Sequence, residues 1–120
     1  MAKHISLGKK GEDIAVNYLV HKGYQILDRN VQLDKVELDI VAKKDDTYVF
    51  VEVKTRSTDQ YGYPEQAITG TKRQHILDAV EMYLELHHID AEIRIDVLTV
   101  ILRENLYSVM HFEDAVEPYE

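Results

Sequence analysis

Residues 36–55 of the chain read VELDIVAKKDDTYVFVEVKT, and this stretch decides the fold. Two runs of alternating side chains flank a central KDDT, which predicts an antiparallel hairpin with a tight turn. With the turn centred between Asp45 and Asp46, opposed residues have numbers that sum to 91. This register places Asp39 opposite Glu52, and a slip of one residue would turn the apolar side chains to solvent.

Side chains alternate faces along a strand, so the register also predicts what each face carries. One face is apolar and is expected in the core (Val36, Leu38, Ile40, Val49, Val51 and Val53). The other carries Glu37, Asp39, Glu52 and Lys54. Opposed carboxylates repel each other, and a hard divalent cation is one compensation. The alternative left open by the pattern is a solvated face with a Glu37–Lys54 ion pair.

The rest of the chain predicts two helices and three more strand-like runs around this hairpin. The predicted helices are 6–22 and 71–88, and the strands are 24–33, 36–42, 48–55, 93–102 and 106–112. Ser6 and Thr71 are the expected N-caps, and Gly23 is expected to end the first helix. The order is α-β-β-β-α-β-β, a mixed α/β fold with a central sheet. We expect one domain over 1–120, with 112–120 as an acidic tail.

Composition bounds the function classes. The 120 residues, 45% of them apolar, suffice for one core. Without cysteine, disulfide scaffolds and thiolate metal sites are excluded. No apolar run is long enough to span a bilayer, and no secretory signal is expected at the N-terminus, so we expect a cytoplasmic protein without a membrane partner.

The net charge of −8 argues at first against nucleic acid, but its distribution is uneven. Residues 1–75 hold 12 basic and 11 acidic side chains, a balance of +1, whereas residues 76–120 hold 2 basic and 11 acidic, a balance of −9. The acidity belongs to the last third of the chain. Net charge therefore does not exclude a nucleic-acid partner.

Four ordered blocks, 8–30, 37–56, 61–84 and 94–100, resemble the YraN-type bacterial family of predicted endonucleases. This is an uncharacterised protein family of the PD-(D/E)xK superfamily, similar in turn to archaeal Holliday-junction resolvases. The resemblance implies a restriction-endonuclease-like αβββαβ core with a mixed central sheet and an added C-terminal strand. It also implies a Mg²⁺-dependent DNA endonuclease, with Mn²⁺ as a substitute ion and branched or junction DNA as one substrate class.

Two further alternatives stay open at this point. The chain could be a non-catalytic module that keeps the nuclease fold and binds nucleic acid or protein. The chain could also act as a homodimer, in which each copy cuts one of two DNA strands.

The resemblance carries over to individual residues. Asp39 and Glu52 match the metal-binding acids, and Lys54 matches the catalytic lysine. Glu12 in the first helix matches an acid that helps complete the metal site, and Val53 would offer its backbone carbonyl. Glu37, in the Glu-x-Asp pair, matches a further motif position, to which the resemblance assigns no particular role. The family usually has Gly where this chain has Val36.

Basic side chains near these acids are the expected DNA contacts. Lys72 opens the second predicted helix, where its charge opposes the helix dipole, so a phosphate is one reason for its presence. The other expected phosphate contacts are Arg56, Lys9 and Lys10, with exposed surface positions as the alternative.

Two pairs elsewhere have simpler interpretations. Tyr61 and Tyr63 lie in a long predicted loop, 57–70, and either stack on bases or pack on their own domain. Arg94 and Asp96 share one strand face and are predicted to pair with each other as structural residues.

Overall fold

The structure is a computed structural model that describes residues 7–57 and 70–116. These residues form two helices and five strands, with ends within two residues of the prediction: α1 (Leu7–His21), β1 (Gln25–Leu33), β2 (Val36–Lys44), β3 (Thr47–Ser57), α2 (Gly70–Leu86), β4 (Glu92–Arg103) and β5 (Leu106–Phe112). Ser6, Tyr61, Tyr63 and the side chain of Thr71 lie outside the described part of the chain.

The strands form one sheet in the spatial order β1-β2-β3-β4-β5. Three neighbouring pairs are antiparallel, and β3 with β4 is parallel because α2 connects them across the sheet. The sheet is therefore mixed, with β5 as the added C-terminal strand. The predicted fold class is confirmed.

Helix α1 covers one face of the sheet with Ala15 and Leu19, which are fully buried. They pack against apolar side chains of the middle strands: Ile40, Ala42, Val49, Val51, Leu98 and Val100. The helix ends as predicted, because Gly23 adopts a positive φ of 93°. The Gly23 N–H then donates to the Val20 carbonyl at 3.0 Å, and the Tyr24 N–H donates to the Leu19 carbonyl at 2.9 Å.

Helix α2 covers the opposite face. Its buried side carries Ile76, Ala79, Val80 and Tyr83. These side chains pack against Leu33, Leu38, Val41, Phe50, Ile95, Val97 and Val116. The sheet thus lies between two helices, and the two clusters define an α1 side and an α2 side of the sheet. No helix among the described residues is long and apolar enough to span a membrane.

The residues after β5 correct one expectation. Residues 113–116 do not leave the fold as an acidic tail, because Val116 is only 2% exposed and belongs to the α2-side cluster. The Ala115 N–H donates to the Ile95 carbonyl at 2.8 Å. One apolar side chain and one backbone bond therefore tie this acidic segment to β4. Residues 117–120 lie outside the described range.

The predicted Arg94–Asp96 pair is confirmed. Two guanidinium nitrogens donate to the two carboxylate oxygens at 2.9 and 2.8 Å, and Asp96 is fully buried. Burial raises the pKa of Asp96, but hydrogen bonds from His111, Arg94 and the Asp114 N–H outweigh it and lower the pKa. This buried carboxylate is satisfied by protein groups alone and needs no ligand.

Candidate metal centre and active site

The site lies where β2 and β3 separate. Their backbone pairing runs from the turn to the pair Ile40–Val51 and stops there. The paired residues have numbers that sum to 91, so the predicted register is confirmed over this stretch. Beyond it, β2 pairs with β1 only and β3 with β4 only. The predicted direct pairing of Asp39 with Glu52 is therefore wrong, because a gap opens between the strands at that level.

The carboxylate of Asp39 lies in this gap. Its Oδ2 accepts the backbone N–H of Val53 at 2.8 Å. A continued antiparallel ladder would give that N–H a backbone carbonyl, so a side chain replaces a main-chain partner here. The contact turns Asp39 toward β3 and fixes one of its two oxygens.

The strands also exchange faces at this level. Leu38 and Val36 pack in the α2-side cluster, whereas Ile40 packs on the α1 side. The prediction that all three share a face is therefore wrong. In β1, the register places Asn30 opposite Asp39, and Asn30 has a φ of 51°. A left-handed residue interrupts the regular alternation of β1 at the level where β2 changes faces.

Three acids gather on the α1 side as a result. One carboxylate oxygen each of Glu12, Glu37 and Asp39 lies within 4.8 Å of the others. Glu37 therefore groups with Glu12 from α1. The alternation of side chains had predicted Glu37 on the face of Glu52, and that prediction is wrong. Two oxygens bound to one Mg²⁺ lie at most about 4.2 Å apart, so a small closure would bring these acids into one coordination shell.

Glu52 enters the gap from the α2 side and is 7% exposed. Its Oε1 lies 3.6 Å from the ammonium of Lys72, at the start of α2. Its Oε2 is buried and has no hydrogen-bond partner among the described residues. Leaving a buried carboxylate oxygen without a partner destabilises the fold by about 1–3 kcal/mol. Such an atom calls for an explanation, and a bound cation is one.

Loss of solvent and repulsion by neighbouring acids raise the pKa values of both carboxyls in the gap. Burial raises the pKa of Asp39 to about 6, opposed by the Val53 N–H and assisted by the charges of Glu12 and Glu37. Burial raises the pKa of Glu52 to about 7, assisted by the charge of Asp39 and opposed by nearby lysines. The metal-free site thus holds protons more tightly than ordinary carboxyls do.

Two residues of β1 hold Glu12, and the sequence reasoning missed both. The Asn30 side-chain amide donates to Glu12 Oε1 at 2.9 Å. The Arg29 guanidinium lies 3.8 Å from the same oxygen and donates to Asp13 at 2.8 Å. The available signal was an Asn in the middle of a strand-like run, since Asn tolerates positive φ better than most residues.

Gly11 sets the approach of α1 to the sheet. A Cβ at this position would overlap the side chain of Thr55 on β3, including its Oγ1, Cγ2 and Cβ atoms. The absence of a side chain therefore lets the helix backbone lie directly against β3. The next residue is Glu12, so this close contact carries its carboxylate to the gap.

The basic residues divide into two groups. Lys54 and Lys72 belong to the gap, because the charge of each lowers the pKa of Glu52. Arg56 is two residues further along β3, half-buried, and its Nη1 donates to the Thr55 carbonyl at 3.3 Å. The exposed Lys9 and Lys10 lie at the start of α1, with Lys9 3.8 Å from Asp13.

An open cavity of about 550 Å³ occupies the gap. Its lining combines acidic, basic and apolar side chains: Lys35, Val36, Glu37, Asp39, Glu52, Val53, Lys72, His75 and Ile76. Val36, the residue at the family's usual Gly position, thus forms part of the wall and packs into the α2-side cluster. Lys35 and His75 are lining residues that the sequence pattern did not identify.

Comparison with protein families gives one match. Residues 11–100 match the uncharacterised protein family UPF0102. The chain belongs to the UPF0102 family. The resemblance to the YraN-type family is thereby confirmed. The matched UPF0102 region includes most of α1, the hairpin, α2 and most of β4, and so contains every acid of the gap.

Individual UPF0102 proteins match over almost their whole length. One from Flavobacterium psychrophilum is 43% identical over 115 residues, which cover 96% of this chain and 97% of the relative. One from Christiangramia forsetii is 41% identical with the same coverage. One from Bacteroides thetaiotaomicron is 42% identical and covers 98% of both chains. These relatives carry the family's name without an activity.

The acids of this UPF0102 chain fit a hard divalent cation. Carboxylate oxygens are the ligands that Mg²⁺ and Mn²⁺ prefer. Glu52 is buried and Asp39 half-buried at one gap, and Glu52 Oε2 has no partner among the described residues. Asp39 also belongs to the group with Glu12 and Glu37. Asp39 is thus the residue that connects the two sides of the gap.

Proposed function

We propose that the protein is a Mg²⁺-dependent DNA endonuclease that hydrolyses phosphodiester bonds. One observation carries the proposal: a buried glutamate, Glu52, holds an oxygen without a partner among the described residues, beside a half-buried acid, Asp39. If these positions were purely structural, an apolar pair would be more stable, since like charges removed from solvent destabilise the fold. A bound cation would compensate for this destabilisation.

Asp39, Glu52 and Glu12 would hold the metal, together with the backbone of Val53. The carboxylates match Mg²⁺, and Mn²⁺ would substitute for it. When bound, the ion supplies positive charge that polarises the scissile phosphate and acidifies water. Glu37, on the α1 side of Asp39, would add a further carboxylate to the same centre.

The chain's own residues perform the remaining steps. Lys54, on β3 two residues after Glu52, would orient the attacking water by hydrogen bonding and stabilise negative charge on the phosphate. Water then adds across the P–O bond, which gives a phosphate monoester and an alcohol. Lys72 and Arg56 would contact neighbouring phosphates. Lys9 and Lys10, at the start of α1, would contact phosphates further from the cleaved bond.

Charge distribution supports DNA as the substrate in spite of the net charge of −8. The acids of the gap are the proposed cation ligands, and the excess acidity lies in residues 76–120. Binding should be weak and strongly salt-dependent, because few cations contact phosphate. Branched DNA is the substrate class that the resemblance to resolvases favours. A chain without cysteine suits the reducing cytoplasm.

The direct test is cleavage of branched and linear DNA with Mg²⁺ or Mn²⁺. We expect wild type to cut, Glu52→Gln and Lys54→Met to lose at least about 100-fold in rate, and Asp45→Asn, in the hairpin turn, to cut normally. Glu52→Gln should also lose Mn²⁺ binding, whereas Lys54→Met should keep it. Cleavage that survives both substitutions contradicts the proposal. A wild type that binds DNA but neither Mn²⁺ nor Mg²⁺ would favour the non-catalytic module instead.

A further inference from the structure

Asn30 occupies a special place in the sheet. It is in the middle of β1, where its φ of 51° is left-handed, and the register places it opposite Asp39. The flanking pairs Arg29–Ile40 and Val31–Leu38 keep the same register on both sides of Asn30. The left-handed residue therefore lies between two paired positions, at the level of the candidate metal centre.

The Asn30 side chain spans from this point to α1. Its amide donates to Glu12 Oε1 at 2.9 Å, and Arg29 approaches that same oxygen at 3.8 Å. Both contacts concern Oε1, and no hydrogen bond to Oε2 is found among the described residues. Two neighbours on one oxygen fix the plane of the Glu12 carboxylate and leave its second oxygen available for a ligand.

The chemistry of Asn suits both requirements of this position. Asn accepts left-handed backbone angles more readily than other residues with a side chain. Its NH₂ group donates without carrying a charge, so it does not compete with a cation for Glu12. Gly would keep the backbone and lose the donor, whereas Asp would keep the shape and repel Glu12.

We propose that Asn30 is a positioning residue of the metal centre: it orients the carboxylate of Glu12 toward Asp39 and Glu37. This inference rests on the proposed function, since it requires a cation at these acids. Asn30 itself contacts neither metal nor substrate in this arrangement and acts through Glu12.

The test is Mn²⁺ binding by the full chain, measured by calorimetry and by electron paramagnetic resonance of the free ion. Asn30→Gly keeps the left-handed backbone and removes the amide. Asp34→Gly is its matched control, because Asp34 also has a positive φ, 56°, in the turn between β1 and β2. We expect Asn30→Gly to weaken Mn²⁺ binding by about 10- to 100-fold and Asp34→Gly to leave it unchanged.

A double substitution shows whether the effect acts through Glu12. In a Glu12→Gln background, Asn30→Gly should change Mn²⁺ affinity by less than about twofold, since the oriented carboxylate is already gone. Far-UV circular dichroism and the thermal midpoint check that each variant folds. If Asn30→Gly does not fold, Asn30→Asp, which keeps the side-chain shape, carries the same expectation of weakened Mn²⁺ binding.

The outcomes separate the inference from the proposed function. Wild type that binds Mn²⁺ while Asn30→Gly binds it equally well overturns the positioning role and leaves the endonuclease proposal intact. An Asn30→Gly effect of the same size in the Glu12→Gln background overturns it too. Wild type that binds no Mn²⁺ at all overturns the metal centre and the positioning role together.

Discussion

The carboxylate of Asp39 accepts the backbone N–H of Val53 at 2.8 Å, where a continuous hairpin would have placed a carbonyl. One side chain thus completes the hydrogen bonding of β3 and contributes to an acidic centre. Under the proposed function its two oxygens would divide these tasks, because Oδ2 takes the N–H and Oδ1 would bind the cation. Structural and catalytic contributions of Asp39 should therefore be separable by substitution.

Asp39→Asn and Asp39→Ala should differ sharply in stability. Asn keeps an oxygen that can accept the Val53 N–H, whereas Ala leaves that N–H without a partner. We expect Asp39→Ala to lower the free energy of unfolding by about 1–3 kcal/mol and Asp39→Asn to change it much less. Both should lose Mn²⁺ binding. Urea denaturation and calorimetry measure the two effects, and equal destabilisation by both variants would contradict the divided role.

Glu52→Gln should stabilise the metal-free protein at neutral pH. Burial raises the pKa of Glu52 to about 7, so the ionised form is less favourable in the folded chain than in the unfolded one. The neutral amide avoids that cost, which is on the order of 1–3 kcal/mol. Thermal melting in EDTA at pH 8 measures the gain. A lower melting temperature for Glu52→Gln would show that the ion pair with Lys72 outweighs burial.

The same raised pKa values predict how stability changes with pH. Between about pH 5 and pH 7 the folded metal-free chain binds more protons at Asp39 and Glu52 than the unfolded chain does. Its free energy of unfolding from these groups therefore falls as pH rises through this window. Urea titrations at pH 5, 6, 7 and 8 should show the fall in wild type and a smaller one in Glu52→Gln. Equal slopes would contradict the assignment to Glu52.

Gly11→Ala should move α1 away from β3. The added methyl group would overlap the side chain of Thr55, which is short and β-branched and so has little freedom to withdraw. We expect a loss of about 1–3 kcal/mol in stability and weaker Mn²⁺ binding, because Glu12 moves with the helix. Thr55→Ala removes most of the overlapping atoms, so the double variant should recover both. Additive losses in the double variant would exclude this contact as the cause.

Glu37→Gln tests the α1-side acids. Glu37 is exposed, so its replacement should change stability by less than about 0.5 kcal/mol. Because one of its oxygens lies within 4.8 Å of oxygens of Glu12 and Asp39, we expect Mn²⁺ binding to weaken by about tenfold. Glu81→Gln, on the exposed side of α2, is the matched control. Calorimetric titrations that give the same affinity for all three proteins would remove Glu37 from the centre.

Lys72→Met should affect metal and DNA in opposite directions. The Lys72 ammonium lies 3.6 Å from Glu52 Oε1 and so competes with a cation for that carboxylate. Its removal should strengthen Mn²⁺ binding several-fold and weaken DNA binding, with a smaller salt dependence. Calorimetry and fluorescence anisotropy at several salt concentrations measure the two. Weakened Mn²⁺ binding would instead show that Lys72 supports the centre.

The elements and the hairpin register were predictable from sequence because they rest on local signals. Apolar periodicity marked both helices, Gly23 marked the end of the first, and the KDDT turn fixed the pairing as far as Ile40–Val51. The burial of Val116 was not predictable, because an acidic segment hid a single apolar anchor that packs on a distant strand.

The acids of the site were recognised, but their arrangement was not. Strict alternation placed Glu37 beside Glu52, and the structure places it with Glu12. The cause is the exchange of faces at Asn30 and Asp39, which depends on one backbone angle and on where two strands separate. Such features follow from the packing of the whole sheet, and single-strand periodicity carries no information about them.

Asp39 and Glu52 differ in their hydrogen bonding, and this difference would help to distinguish active from inactive members of the family. Under the proposed function, a descendant that lost the endonuclease activity would still gain from Asp39, because the Val53 amide needs an acceptor. It would gain less from Glu52, because the buried Oε2 has no hydrogen-bond partner among the described residues. Family members without the activity should therefore acquire substitutions at position 52 before they acquire them at position 39. The presence of a glutamate at position 52 is thus the more informative sign of a working enzyme.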